Sequence, residues 1–166
     1  MEERNDIVIY RSEDGLVKME ALVDPSGETI WATQKAIAAL FNVDRSVITK
    51  HLRNVFATGE LEEKSVRAIF AHTATDGKKY NTMYYNLDAI ISVGYRVNSL
   101  RATSFRKWAS GLIKQYMLKG YAVNKNAVSE QKYEELKKAV GLLENVFSKE
   151  LLLTSQRTVQ RKWPPW

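Results

Sequence analysis

Between Thr33 and Phe56 apolar residues recur twice at helical spacing with one break between them. In the first run Ile37, Ala38 and Phe41 fall on one face, and the Thr33 hydroxyl is placed to cap the first turn. The break at Asn42-Val43-Asp44 reads as a tight turn, because asparagine tolerates a left-handed backbone and Val43 can fill the angle between two helices. Asp44 or Ser46 then caps a second helix whose apolar positions are Val47, Ile48, Leu52 and Phe56. Arg45, Ser46, Thr49, Lys50 and Arg53 point elsewhere and give this helix a basic, hydrogen-bonding face. The spacing predicts a helix-turn-helix with small Ala38 at the contact and the second helix free to enter a major groove. A plain helical hairpin with a solvated basic face would carry the same pattern.

On the N-terminal side, Ile7 to Tyr10, Val17 to Val23 and Glu28 to Ala32 are short extended patterns. Turn residues at Ser12 to Gly15 and Asp24 to Gly27 separate them. They predict a small β-hairpin that delivers the chain to the Thr33 cap, with Trp31 packed beneath the helix pair. Gly59 stops the second helix, and two β-prone runs follow, Val66 to Thr73 and Lys78 to Tyr85, around an Asp76-Gly77 turn. A hairpin after a helix-turn-helix predicts an α+β fold of the winged helix-turn-helix class. Lys78 and Lys79 sit at the tip of the wing, with Arg67 and His72 on its outgoing strand, all suited to phosphates. A solvated turn with ordinary lysines reads the same way.

Farther on, Leu87 opens a helix expected to reach about Asn98, and Ser99 caps a longer one from Leu100 to Lys119 that ends at Gly120. The longer helix aligns Phe105, Trp108, Ala109, Leu112 and Tyr116 on one face. From about Ser129, Tyr133, Leu136, Val140, Leu143 and Phe147 follow alternating steps of three and four, the pattern of a coiled coil, until Glu150 interrupts it. That stripe suits a homodimer seam and equally a helix folded back on its own domain. Beyond Leu153 no apolar period remains in TSQRTVQRKWPPW, which reads as a flexible tail. The expected organisation is therefore a winged domain with a helical extension over 1–124, a C-terminal helix over 125–153 and a tail over 154–166.

Charge narrows the partner. The formal net charge is +6, and no Asp or Glu occurs between Ala89 and Ser129, where Arg96, Arg101, Arg106, Lys107, Lys114, Lys119 and Lys125 all lie. Solvated faces normally mix signs, so a one-sided run of this length points to an anionic ligand, whether DNA or an acidic protein surface. Cysteine is absent, which excludes disulfides and thiolate chemistry. His51 and His72 are the only histidines and form no HxxH pair; neither a GxSxG elbow nor a glycine-rich phosphate loop occurs. Glu62, Glu63 and Asp76 near Lys78 and Lys79 could imitate a nuclease cluster but are better read as a charged loop and a turn. No enzymatic activity, metal or cofactor is expected. The MEERND start and the lack of any apolar run near ~20 residues predict a soluble, cytoplasmic protein with no membrane association.

The segments TQKAIAALFNVDRSVITKHLRNVF, GELEEKSV and DGKKYNTMYYNLDAIISVGYRVNSLRATSFRKWASGLIKQYMLKGY resemble the N-terminal region of the RhuM virulence-protein family. The resemblance runs from about Ile7 to Val123, and YNLDAIISVGYRVNS and FRKWA are its most specific parts. The family resembles phage antirepressors and other DNA-binding proteins of mobile elements, which implies DNA binding here. Some relatives resemble fusions to a Fic-type nucleotide-transferring domain, whose HPF loop does not occur in this chain. The expected function is sequence-specific binding of double-stranded DNA, as a transcriptional regulator of a mobile or pathogenicity-associated element. Its expected DNA contacts are Thr33, Gln34, Arg45, Ser46, Thr49, Lys50, Arg53, Lys78 and Lys79. The rival expectation is an interaction module that docks an acidic protein partner such as a toxin or effector domain.

Overall fold

In the computed structural model, residues 4–12, 14–124 and 130–159 are described. The chain divides into two compact units, Met1–Ala122 and Val123–Trp166. Among the described residues the fold is α+β, with a five-stranded antiparallel sheet and six helices.

The N-terminal patterns form three strands rather than one hairpin: β1 (Arg4–Ser12), β2 (Gly15–Asp24) and β3 (Thr29–Thr33), paired in sequence as a meander. In β2 the side chains of Val17, Met19 and Ala21 turn inward and those of Leu16, Lys18 and Glu20 outward, the period-two alternation of a half-buried strand. The later strands β4 (Arg67–Thr73) and β5 (Lys79–Asn86) form the expected hairpin around Asp76-Gly77. Gly77 takes φ +76 there, a left-handed conformation that glycine adopts without strain. Because β5 also pairs with β3, the spatial order is β1-β2-β3-β5-β4, and the hairpin joins the N-terminal meander in one sheet.

Between β3 and β4 lie α1 (Gln34–Phe41), α2 (Arg45–Ala57) and the single turn α3 (Glu63–Val66). After β5 come α4 (Leu87–Gly94) and α5 (Leu100–Lys119). Ile37, Phe41, Ile48, Val93 and Val97 meet in one core against Met19 and Ala32 of the sheet. The Phe41 ring stands edge-on to Phe105 at 5.3 Å. Gly94 of α4 lies against both rings, where an added Cβ would come within 2.8 Å of each, so only glycine lets α4 approach this closely.

Trp31 does not pack beneath the helix pair. Neighbouring strand residues face opposite sides, and here Ala32 takes the inward position with no exposed surface. Trp31 is therefore turned to the other side, half-buried, edge-on to Phe70 of β4 at 5.8 Å and donating its indole N–H to Asp24 at 3.4 Å. The helix expected to reach Asn98 ends at Gly94 instead. The carbonyl of Gly94, freed at that end, and the carbonyl of Val97 beyond it accept hydrogen bonds from the Arg106 guanidinium at 3.0 and 2.8 Å. In α5 only the first half of the expected apolar face is packed: Phe105 is buried and Trp108 half-buried, whereas Tyr116 is 61% exposed. The elements that α5 meets, α1, α4 and β1, cover its early turns, where Tyr10 of β1 stacks on Trp108 at 5.3 Å.

Ser99 ties these pieces together. Its hydroxyl accepts from the Ala102 N–H, capping α5, and donates to the Phe41 carbonyl at the end of α1 at 2.7 Å. Ser99→Ala is expected to destabilise the domain by about 1–2 kcal/mol, since one cap and one half-buried carbonyl lose their partner together. Urea denaturation checks this, and a shift below the uncertainty of the midpoint counts against the double role.

The second unit contains α6 (Glu130–Val159). Its backbone is helical through Val159, past the boundary at 153 where the apolar period stops, while residues 160–166 lie outside the described residues.

Candidate nucleic-acid interface

The helix pair is built by local chemistry that the sequence announces. Thr33 accepts the Ala36 N–H at 3.1 Å and starts α1; Asn42, left-handed at φ 52 and ψ 52, ends it. Val43 donates its N–H to Ala38 at 3.0 Å and packs half-buried against the core, closing the angle between the helices. The Asp44 carboxylate accepts the Ser46 N–H at 2.8 Å and starts α2. Hydrogen bonds from the Ser46 hydroxyl and backbone hold this carboxyl below its ordinary range, so its contribution to the cap is present at neutral pH and fades in acid as the carboxyl protonates. On α2 the inward residues are Ile48, Leu52 and Val55; Val47 and Phe56 are half-buried flanks.

Arg45, Ser46, Lys50 and Arg53 are exposed on the opposite side of α2, as expected. Ser46, Thr49, Lys50, Arg53 and Asn54 line a shallow depression there. Thr49 is half-buried and donates its hydroxyl to Gln34 at 2.7 Å, and Gln34 donates in turn to the Tyr85 hydroxyl at 3.0 Å. Of the expected contacts, Gln34 and Thr49 are thus engaged in joining α1, α2 and β5, and the Thr33 hydroxyl is engaged in the α1 cap. They position the basic residues around them.

A groove of about 490 Å³ opens beside Arg45, between the start of α1 and the strands. Lys18 and Glu20 of β2, Lys35 of α1, Arg45 and His72 are among its lining, and the exposed positions of Lys18 and Lys35 add cations beside α2, with Glu20 the one acid among them. Sequence reading missed both lysines. Only their outward place in a strand alternation and at the first helical turn could have flagged them, and that signal marks any surface lysine.

Lys78 and Lys79 are exposed beside the hairpin turn, where the Asp76 carboxylate accepts the Lys78 N–H at 2.9 Å and the Tyr80 hydroxyl at 2.8 Å. On the outgoing strand Arg67 is paired with Glu63, and the His72 ring is within hydrogen-bond distance of the Thr82 hydroxyl at 3.3 Å. His51 has its pKa lowered, first by burial and then by the charges of Lys50 and Arg96, so it adds no full positive charge to the α2 face at neutral pH.

Much of the acid-free stretch serves the fold. Arg106 holds the end of α4, Arg96 is paired with Glu60, and Arg101 reaches the Ala39 carbonyl at 3.4 Å. Lys107, Lys114 and Lys119 are exposed on α5, and Lys125 lies outside the described residues. Among the described residues no group of three or more acids and histidines could hold a metal ion. Nor is any helix among them long and apolar enough to cross a membrane.

The sequence profile of the virulence protein RhuM family matches residues 65–152. This chain belongs to the RhuM family. The RhuM match covers β4, β5, α4, α5 and most of α6, so it begins after the basic helix pair and takes in the seam-like stripe, a different span from the resemblance read between Ile7 and Val123. No curated protein and no solved structure matches the chain.

Proposed function

We propose that this RhuM-family chain binds double-stranded DNA with sequence preference, acting as a winged helix-turn-helix in which α2 is the recognition helix and β4–β5 the wing. The observation that carries this reading is the two-sidedness of α2: Ile48, Leu52 and Val55 anchor it, while Arg45, Ser46, Lys50 and Arg53 stand exposed with no acidic residue within the helix. A helix held by one side and basic on the other can enter a major groove without unfolding. The order β3-β5-β4 around the helix pair supports the wing, and Lys18 and Lys35 extend the surface available to phosphates. A regulatory role on a mobile or pathogenicity-associated element is part of the same proposal. One recognition helix reads few base pairs, so two copies reading repeated half-sites complete it.

Selection of bound sequences from a random duplex pool, followed by binding of the selected and a scrambled duplex across a salt series, tests the reading. An enriched sequence whose advantage persists as salt rises supports it; equal binding of both duplexes at every salt concentration removes it. Within that assay Lys78→Ala with Lys79→Ala should weaken all duplexes alike and make the salt slope shallower by about one to two units. A changed sequence preference at constant slope would make the wing a base reader instead. The exposed Lys107, Lys114 and Lys119 on acid-free α5 favour the second reading, docking of an acidic protein. That reading predicts competition between an acidic polypeptide and DNA that the α5 lysines control and Arg45 does not.

A further inference from the structure

The geometry points to antiparallel pairing of α6 with α6 of a second copy of this chain. The inference rests on the pairing of copies proposed above, but not on what the α2 face reads. Its starting point is the stripe Leu136, Val140, Leu143 and Phe147, in which Leu143 and Phe147 are 57% and 61% exposed. From Tyr133 to Phe147 the stripe runs along roughly 21 Å of helix at about 1.5 Å per residue, close to four turns with Leu136, Leu143 and Phe147 exposed.

Charge and register choose the occupant's direction. In a parallel pair, equivalent residues meet at the seam, so Glu150 would stack on Glu150 of the second copy, and on the flank Lys132 would face Lys137. Both contacts set like charges together. In an antiparallel pair with its two-fold axis between Gly141 and Leu142, Val140 meets Leu143 of the second copy and Leu136 meets Phe147. Glu150 then lies beside Tyr133 rather than another carboxylate. The same register sets Lys137 next to Glu144 of the second copy, twice by symmetry, and Ala139 beside Val146 on the other flank. Every seam layer from 136 to 147 is then apolar, and the flank charges are complementary. Lys137 also leans on Glu134 of its own helix at 3.8 Å, an exposed contact that does not compete strongly.

Opposite orientations give opposite signs for one charge reversal. Lys137→Glu places two carboxylates together in the antiparallel pair but relieves Lys132 against Lys137 in the parallel one. Glu144→Lys places two ammonium groups together in the antiparallel pair, whereas across the seam of the parallel one it meets Ala139. Both positions are exposed, so neither change is expected to unfold α6. The full-length chain without DNA, sedimented at low salt, should show concentration-dependent dimers. Each single variant should dissociate on the order of tenfold more readily, because two attractive contacts become repulsive. An equimolar mixture of the two variants should recover wild-type association, since both flank contacts are then between opposite charges. Tighter association of Lys137→Glu, with Glu144→Lys unchanged, would overturn the antiparallel pair in favour of the parallel one. Dimers indifferent to both changes would place the seam elsewhere. A monomeric wild type at high micromolar concentration would remove the pairing altogether while leaving DNA contact by α2 to stand or fall on its own assay.

Discussion

Replacing Arg45 and Lys50 together by alanine is expected to erase the preference for a selected DNA site and to weaken binding by one to several orders of magnitude. Arg45 stands at the first residue of α2, the end that in the proposed DNA complex would enter the major groove most deeply, and a bidentate contact from such a residue discriminates between bases by about 1–3 kcal/mol. Lys50 lies on the same exposed face, in the depression with Ser46 and Arg53. The expected loss is therefore the product of a base contact and a neighbouring cation. Neither side chain makes a described hydrogen bond or ion pair that holds the fold, so the melting temperature should stay near that of the wild type. Binding of selected and scrambled duplexes by the double variant decides the matter. Undiminished affinity and preference would show that α2 is not the reading element.

Phe41→Ala should have the largest effect on stability, about 3–5 kcal/mol by the cost of emptying a buried aromatic site. Phe41 has no exposed surface, meets Phe105 edge-on at 5.3 Å, and lies against Gly94 so closely that a single Cβ would not fit. It closes the end of α1, and its carbonyl takes the Ser99 hydroxyl, so α1, α4 and α5 all share the cavity its loss would leave. A typical domain has about 5–15 kcal/mol of stability in total, so a large share of it would be lost here. Guanidinium unfolding followed by circular dichroism measures the change. A loss under about 1 kcal/mol would mean that the surrounding helices collapse into the space.

Local chemistry was legible wherever one short segment contains both partners of an interaction. Thr33, Asp44, Asn42, Ser99 and Gly120 begin or end their helices as read, because a cap needs only a side chain and an N–H two or three residues away, or a backbone that accepts positive φ. The Asp76-Gly77 hairpin followed from the same kind of rule. The arginines of the acid-free stretch were less legible. Composition marks them as cations, yet Arg106 serves two carbonyls, at Gly94 and Val97, and Arg96 pairs with Glu60, far along the chain.

The sequence by itself determined the helix pair α1–α2 and its turn, the β4–β5 hairpin, the alternation that makes β2 half-buried, the two-sidedness of α2 and the overall positive charge. Each depends on residues within a few positions of one another or on simple counting. Only the tertiary structure decided that β5 inserts beside β3, that Trp31 turns toward Phe70 because Ala32 takes the core, and that Gln34 and Thr49 are engaged with each other and with Tyr85. It also brought Lys18 and Lys35 beside Arg45. Those outcomes join residues that are distant in the chain. Which strand finds which neighbour, and which polar groups are consumed by the fold rather than left for a ligand, is set by the joint packing of the whole sheet and its helices, a quantity no single stretch of sequence contains.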